Sequence, residues 1–187
     1  MRRPIFLLAA LALTGCDRVI ERSVDRAVER VSGKYAAEPG QEWTMQVLGS
    51  DGDRVYLVTG PDGRTAAARY KSGVSTLIGA AEAQSFISTN VEALAAAGPP
   101  PPQKVAISAP GVSIKVAGDD TEGDNSRGRV QIKIAGVSVD VDGAEGADGH
   151  GQVRIGGVDR NAALKFIDEN DDLSPDVKKQ MRDKLGL

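Results

Sequence analysis

Between residues 104 and 157, apolar and polar side chains alternate in short runs closed by glycine. Gly111-Val112-Ser113-Ile114-Lys115-Val116-Ala117-Gly118 recurs as Gly136-Val137-Ser138-Val139-Asp140-Val141-Asp142-Gly143. Val130-Gln131-Ile132-Lys133-Ile134 lies between them, and Gln152-Val153-Arg154-Ile155 follows. A strand points successive side chains to opposite faces, so each run predicts a strand with one dry and one wet face. Repetition of such strands predicts either a one-sided antiparallel sheet or a short β-solenoid. The dry set is the candidate core: Val112, Ile114, Val116, Val130, Ile132, Ile134, Val137, Val139 and Val141.

The same period of two runs through residues 42–78, where Asp51-Gly52 and Asp62-Gly63 separate alternating segments. Asp-Gly between such runs is a hairpin signal, so this stretch predicts a small β-meander. The single tryptophan, Trp43, reads as the core plug of that unit rather than a ligand platform. Over 80–97 the period lengthens to that of a helix, with Ala83, Ile87, Val91 and Leu94 on one face. Gly98 and Pro99-Pro100-Pro101-Pro102 end it in an extended proline spacer, or in a ligand for a proline-recognition domain. Two helices are predicted at the C-terminus. Asp159 caps the first, which turns Ala163, Phe166 and Ile167 inward, and Ser174-Pro175-Asp176 starts the second. Val177, Met181 and Leu185 line that second helix, and Gly186 ends it.

Residues 18–33 carry a tetrapeptide repeat in which Arg18, Arg22, Arg26 and Arg30 form one row and Glu21, Asp25 and Glu29 the next. Ile20, Val24 and Val28 form an apolar row flanked by Val19, Ala27 and Val31. On a helix these rows stack as slowly rotating stripes, and neighbouring Arg and acid rows meet at i,i+3. Such an amphipathic helix can pack on its own domain, lie on lipid headgroups or pair with another helix.

The first residues add a different kind of information. Arg2 and Arg3 precede the apolar run Ile5–Leu13, and Leu13-Thr14-Gly15-Cys16 closes it. A basic stretch, an apolar core and small residues make the plan of a secretory signal. The run is well short of the ~20 residues that cross a bilayer as a helix. Leu13-Thr14-Gly15-Cys16 resembles the lipobox of bacterial lipoproteins. The resemblance covers residues 1–16 and implies that the signal is cleaved before Cys16. It also implies that the Cys16 thiol receives a diacylglyceryl group and the new amino terminus a fatty acyl chain such as palmitate. Asp17 is similar to an inner-membrane retention signal in lipoprotein sorting. The implied location is the periplasmic side of the cell envelope, with membrane lipid as the partner of acylated Cys16.

Together these readings predict an α+β chain. Residues 1–15 form a signal peptide, 16–34 a lipidated helical stalk and 42–98 a small α+β unit with a central helix. Residues 99–103 form a linker, 104–157 the β-repeat unit, and 158–187 a helical hairpin. The repeat unit also resembles the glycine-punctuated strands of bacterial adhesin-like solenoids.

Charge and composition narrow the function. Without its signal the chain carries 21 basic and 26 acidic side chains, a mild acidity that argues against nucleic acid as a partner. Aromatics are 4% of residues, too few for stacking platforms. Cys16 is the only cysteine, so its lipidation leaves no thiol for a disulfide, a metal or a nucleophile.

Candidate chemistry is sparse. The only histidine, His150, sits in Gly149-His150-Gly151, the setting of a solvated turn residue rather than a catalytic base. Residues 143–151 contain four glycines that can cradle an anion but lack the lysine of a phosphate loop. Asp168, Asn170, Asp172, Ser174 and Asp176 fall at alternate positions and resemble an EF-hand loop. Leu173 stands where that loop has glycine, and Lys179 where it has the bidentate glutamate. An acidic turn, Gly118–Asn125, is a second oxygen-rich cluster. No residue is assigned as a catalytic group, metal ligand or cofactor-binding group, and no cofactor is expected. The expected function is that of a non-enzymatic structural or interaction module on the membrane, with an envelope protein as a possible partner. The alternative is a lipid carrier or chaperone whose acyl site is the apolar face of residues 104–157.

Overall fold

A computed structural model describes residues 35–99, 102–109, 112–118, 127–134, 136–144 and 149–187. Cys16, Asp17 and the 18–33 repeat lie outside the described residues, as does most of the acidic turn at 118–125.

Short turns dictate the first half of the fold. β1 (Trp43–Ser50) and β2 (Asp53–Thr59) are joined by Asp51-Gly52, with Ser50 opposite Asp53. β3 (Thr65–Lys71) returns through a turn in which Gly60 N–H donates to Arg64 O at 2.9 Å. β4 (Val74–Ile78) follows Ser72-Gly73, both at positive φ (49° and 89°), the backbone that a tight two-residue hairpin requires. α1 (Ala80–Ala96) then leads to β5 (Gln103–Ala109), β6 (Val112–Gly118), β7 (Arg127–Ile134), β8 (Val137–Ala144) and β9 (Gly151–Val158). Two helices close the chain, α2 (Arg160–Asp168) and α3 (Pro175–Leu185).

The nine strands form one sheet in the order β4-β3-β2-β1-β9-β8-β7-β6-β5, and every neighbouring pair is antiparallel. The class is therefore α+β, a mostly antiparallel sheet with three helices among the described residues. The solenoid alternative needs parallel coils, and these ladders are not parallel. The segments on either side of the prolines share the sheet through the β1–β9 ladder, in which Met45 faces Ile155 and Val47 faces Val153.

Register makes the sheet two-faced. One cross-strand row runs Val58, Met45, Ile155, Val139, Ile132, Ile114 from β2 to β6. One residue along the same strands, the row reads Leu57, Gln46, Arg154, Asp140, Gln131, Lys115. The first row belongs to the main core and the second, over β6–β9, to solvent.

Of the candidate core residues, Val130, Ile132, Val137, Val139 and Val141 are buried, and Ile114, Val116 and Ile134 pack partly buried against them. Val112 stands opposite Ile134, and its side chain lies outside the described set. Ala162, Ala163 and Ile167 of α2 and Met181 and Leu185 of α3 join this same core, essentially without exposure. The main contacts of α2 are with β1, and those of α3 with β3 and β4.

α1 packs on the opposite face, over β1, β2 and β3, where Ala83 meets a small cluster of Leu48, Val55, Ala67 and Ile78. Its buried face differs from the apolar stripe of the sequence. Ala83 and Leu94 turn inward as expected and Ile87 is partly buried, but Val91 is 51% exposed and Asn90 is buried in its place. The reason is polar: Asn90 Nδ2 donates to Gly151 O at 3.4 Å, which ties α1 to the start of β9.

Candidate functional site

Beside α1, the polar face of β6–β9 is built by the wet positions of the alternating strands. Arg127 and Asp142 form a fork-to-fork pair across β7 and β8, Nε to Oδ1 at 3.0 Å and Nη2 to Oδ2 at 2.9 Å. The same arginine donates through Nη1 to Gly98 O at 2.7 Å, so this pair also fixes the end of the α1 segment. Both side chains are largely covered, the setting in which a bidentate pair is geometrically most constrained. Arg129 makes a looser fork on Asp140, at 3.3 and 3.2 Å, and Gln131 Nε2 donates to the same carboxylate at 2.9 Å. The hydrogen bond to Asp140 raises the Arg129 pKa, with partial burial opposing it.

Beyond these pairs stand Lys115, Lys133 and Arg154, all exposed and with no hydrogen bond or ion pair among the described residues. Five cations against Asp140 and Asp142 give this face a positive surplus on a chain of net charge −3. Register places Lys115 and Arg154 on one row and Lys133 on the next.

Where α1 meets this face, a polar cleft of about 340 Å³ lies against Asp53, Arg69, Glu82, Thr89, Asn90 and His150. Arg69 Nε donates to Asp53 Oδ1 at 2.7 Å, its guanidinium reaches Glu82 at 3.6 Å, and it lies 5.2 Å over the Phe86 ring. That hydrogen bond holds the Asp53 carboxyl below its ordinary pKa, against the effect of burial. His150 Nδ1 faces Asn90 Oδ1 at 3.3 Å, so the histidine pins the β8–β9 turn to α1. The sequence predicts a solvated turn residue at this position, whereas the histidine is half-buried. Within the cleft Arg69 is shared between the two carboxylates, Asp53 and Glu82.

The C-terminal acidic loop directs its oxygens to separate partners. Asp168 takes a hydrogen bond from Arg182, and Lys178 Nζ donates to its carbonyl at 2.8 Å. Asn170 Oδ1 accepts from Asp172 N–H at 3.0 Å, and Ser174 Oγ accepts from Val177 N–H at 3.4 Å as the cap of α3. Asp172 reaches across to β2, accepting from Arg54 Nη1 at 2.7 Å and from the Tyr56 hydroxyl. These residues are therefore not gathered on one centre, and no group of three metal-ligating side chains occurs among the described residues.

The Arg54–Tyr56–Asp172 network was not legible as a site in the sequence. Its one signal was an arginine at an inward position of β2, two residues before Tyr56 and four before Val58. Burial works against the Arg54 charge, yet the hydrogen bond to Tyr56 and the charges of Asp172 and Asp51 outweigh it and push its pKa up.

No protein-family model, curated protein or solved structure matches this chain.

Proposed function

We propose that the protein is a membrane-anchored envelope lipoprotein, held through acylated Cys16, that acts as a non-enzymatic interaction module. The observation that carries this reading is the asymmetry of β6–β9. Val130, Val139 and Val141 are closed into the core, while Lys115, Lys133 and Arg154 stand on the opposite face without an ionic partner among the described residues. An acyl carrier needs its Val and Ile face open to a chain, so the closed core supports binding through the polar face instead. The surplus of cations over Asp140 and Asp142 favours an acidic protein surface as the partner. The internal pairing of Asp53 with Arg69 and of His150 with Asn90 supports a positioning role for these groups rather than a catalytic one. The place of action is the periplasmic side of the envelope, with Asp17 favouring the inner membrane.

A photoreactive residue at Ser113, which shares the open face with Lys133, tests the reading in the full chain within intact envelopes. A discrete protein adduct is expected. It should be lost in Lys115→Glu/Lys133→Glu/Arg154→Glu while the amount of membrane-held protein stays the same. Absence of any adduct, or an adduct indifferent to the triple charge reversal, contradicts the proposed surface.

A further inference from the structure

The two edges of the sheet are finished differently. β4 is guarded by the C-terminal helix: α3 packs on β3 and β4, and Ser174 N–H donates to Ser75 Oγ at 2.8 Å. β5 ends the other side, and among the described residues β6 is its only strand neighbour. An edge strand presents its backbone N–H and C=O groups to another chain unless charge, proline, a bulge or a covering element blocks it.

On β5 such a guard stands at the first end alone. The ladder to β6 shifts between Gln103 and Val105, which makes Lys104 the bulged residue. From Val105 to Ala109 the register is regular, and Val105-Ala106-Ile107-Ser108-Ala109 holds no charge, proline or glycine. Ala106 and Ser108 are exposed.

The segment is complementary to itself. Laid antiparallel on a second copy about a two-fold axis at Ile107, it sets Val105 opposite Ala109 and Ala106 opposite Ser108. All five positions are then paired, and each Lys104 falls beyond the pairing. The ladders within the sheet are antiparallel already, so the added one continues their pattern. A two-fold axis relating antiparallel neighbours stands perpendicular to the sheet and keeps both polar faces on one side. Lys115, opposite Ala106, lies three strand spacings of ~4.8 Å from its copy, about 14 Å across the sheet. Screening in physiological salt acts over about 8 Å, so the two cationic faces do not oppose the pairing.

We propose that β5 is a homodimerisation edge, through which two copies join β5 to β5 in one continuous sheet. With both β5 edges used and both β4 edges guarded, assembly closes at two instead of growing into a fibre. The dimer presents two Lys115-Lys133-Arg154 faces side by side. This inference rests neither on what those faces bind nor on acylation of Cys16.

Sedimentation equilibrium of the full chain in an excess of detergent micelles is the test. The parent should be dimeric at micromolar concentration. Ala106→Glu/Ser108→Glu sets carboxylates opposite one another across the axis and should halve the protein mass. Its melting midpoint should stay in place, because both positions are exposed. Ala106→Glu/Ser108→Lys carries as many new charges but sets each glutamate against a lysine of the other copy, and should remain dimeric. A monomeric parent overturns the proposal. So does a dimer that survives in the two-glutamate variant, since another surface then holds it. Assemblies larger than two, or monomers in both variants, overturn it as well.

Discussion

Tyr56 on β2 donates its hydroxyl hydrogen bond to Asp172 in the loop between α2 and α3, joining residues 116 apart in sequence. The same carboxylate accepts from Arg54, whose guanidinium also lies 5.4 Å over the Tyr70 ring. Three elements are thereby locked at one buried point: the β1–β2 hairpin, β3, and the C-terminal pair of helices.

This lock has a pH signature. Burial, and then the hydrogen bond and charge of Asp172, push the Tyr56 pKa well above its ordinary 10.0. The folded chain thus holds the phenol proton more tightly than the unfolded chain does. The associated stability is complete below pH 10 and falls as pH rises beyond it. Alkaline unfolding followed by circular dichroism should release a step of phenolate absorbance, and that step should be missing from Tyr56→Phe. At neutral pH, Tyr56→Phe should cost about 1–3 kcal/mol, because Asp172 loses one donor inside the lock. A phenolate step already present in the folded protein and absent from Tyr56→Phe would contradict the network.

On the acid side, Asp53 contributes. The bond from Arg69 holds its folded pKa below the ordinary 3.8, so its contribution is present above that value and is lost as pH falls through the depressed one. Removing the donor in Arg69→Met should flatten the loss of stability below about pH 4, as read by urea denaturation at stepped pH. An acid limb with the same slope in variant and parent would exclude this pair as its source.

Ile132 and Val91 provide a paired test of the sheet register. Ile132 is 6% exposed in the middle of the apolar row, and Val91 is 51% exposed on α1. Ile132→Asp buries an unpaired carboxylate and should unfold a chain whose stability is about 5–15 kcal/mol. Val91→Asp should change stability by less than about 0.5 kcal/mol. Cooperative, parent-like melting of Ile132→Asp would show that the Val and Ile face is not core, and would revive the acyl-groove alternative.

Gly157 gives a backbone test at the point where the N-terminal segment meets β9. Its φ is +76°, and an added Cβ would sit on the carbonyl of Gly136. Gly63 has a similar φ of +80° but open space around it. Gly63→Ala should cost about 1–2 kcal/mol from conformation alone, and Gly157→Ala distinctly more because the β7–β8 turn must move as well. Equal melting of the two variants would show that the close approach to Gly136 is not made.

Which parts of this fold the sequence could reveal follows from how local their causes are. Asp159 and Ser174 accept hydrogen bonds from Ala162 and Val177, and Gly186 adopts the left-handed conformation, because a cap acts within one turn of its helix. The alternation of Val130, Ile132, Val139 and Val141 translated directly into burial, since a period of two fixes the face without reference to the partner strand. Pairing of β1 with β9 depends on contacts over a hundred residues apart, and no local pattern encodes which edge meets which. The exposure of Val91 and burial of Asn90 were missed for a related reason. An apolar periodicity cannot register a hydrogen bond to Gly151 on another element. The acidic C-terminal loop resembled a calcium loop because spacing alone was visible. The inward Arg54 and Tyr56, which take up Asp172, belong to a strand far away in sequence. The polar face of β6–β9 is legible strand by strand, but the cations left without an ionic partner among the described residues emerge only once the register matches Arg127 to Asp142 and Arg129 to Asp140.

If the domain works from a lipid anchor at Cys16, as proposed, intact-mass spectrometry of the full-length gene product extracted from membranes should find a chain that begins at residue 16, with its mass raised by a diacylglyceryl group and an amide-linked acyl chain. The proposal also predicts that Cys16→Ser leaves an unlipidated product outside that processed, membrane-held pool. An unmodified chain in the membrane fraction, or a Cys16→Ser variant processed and retained with the parent's mass but for the substitution, would contradict it.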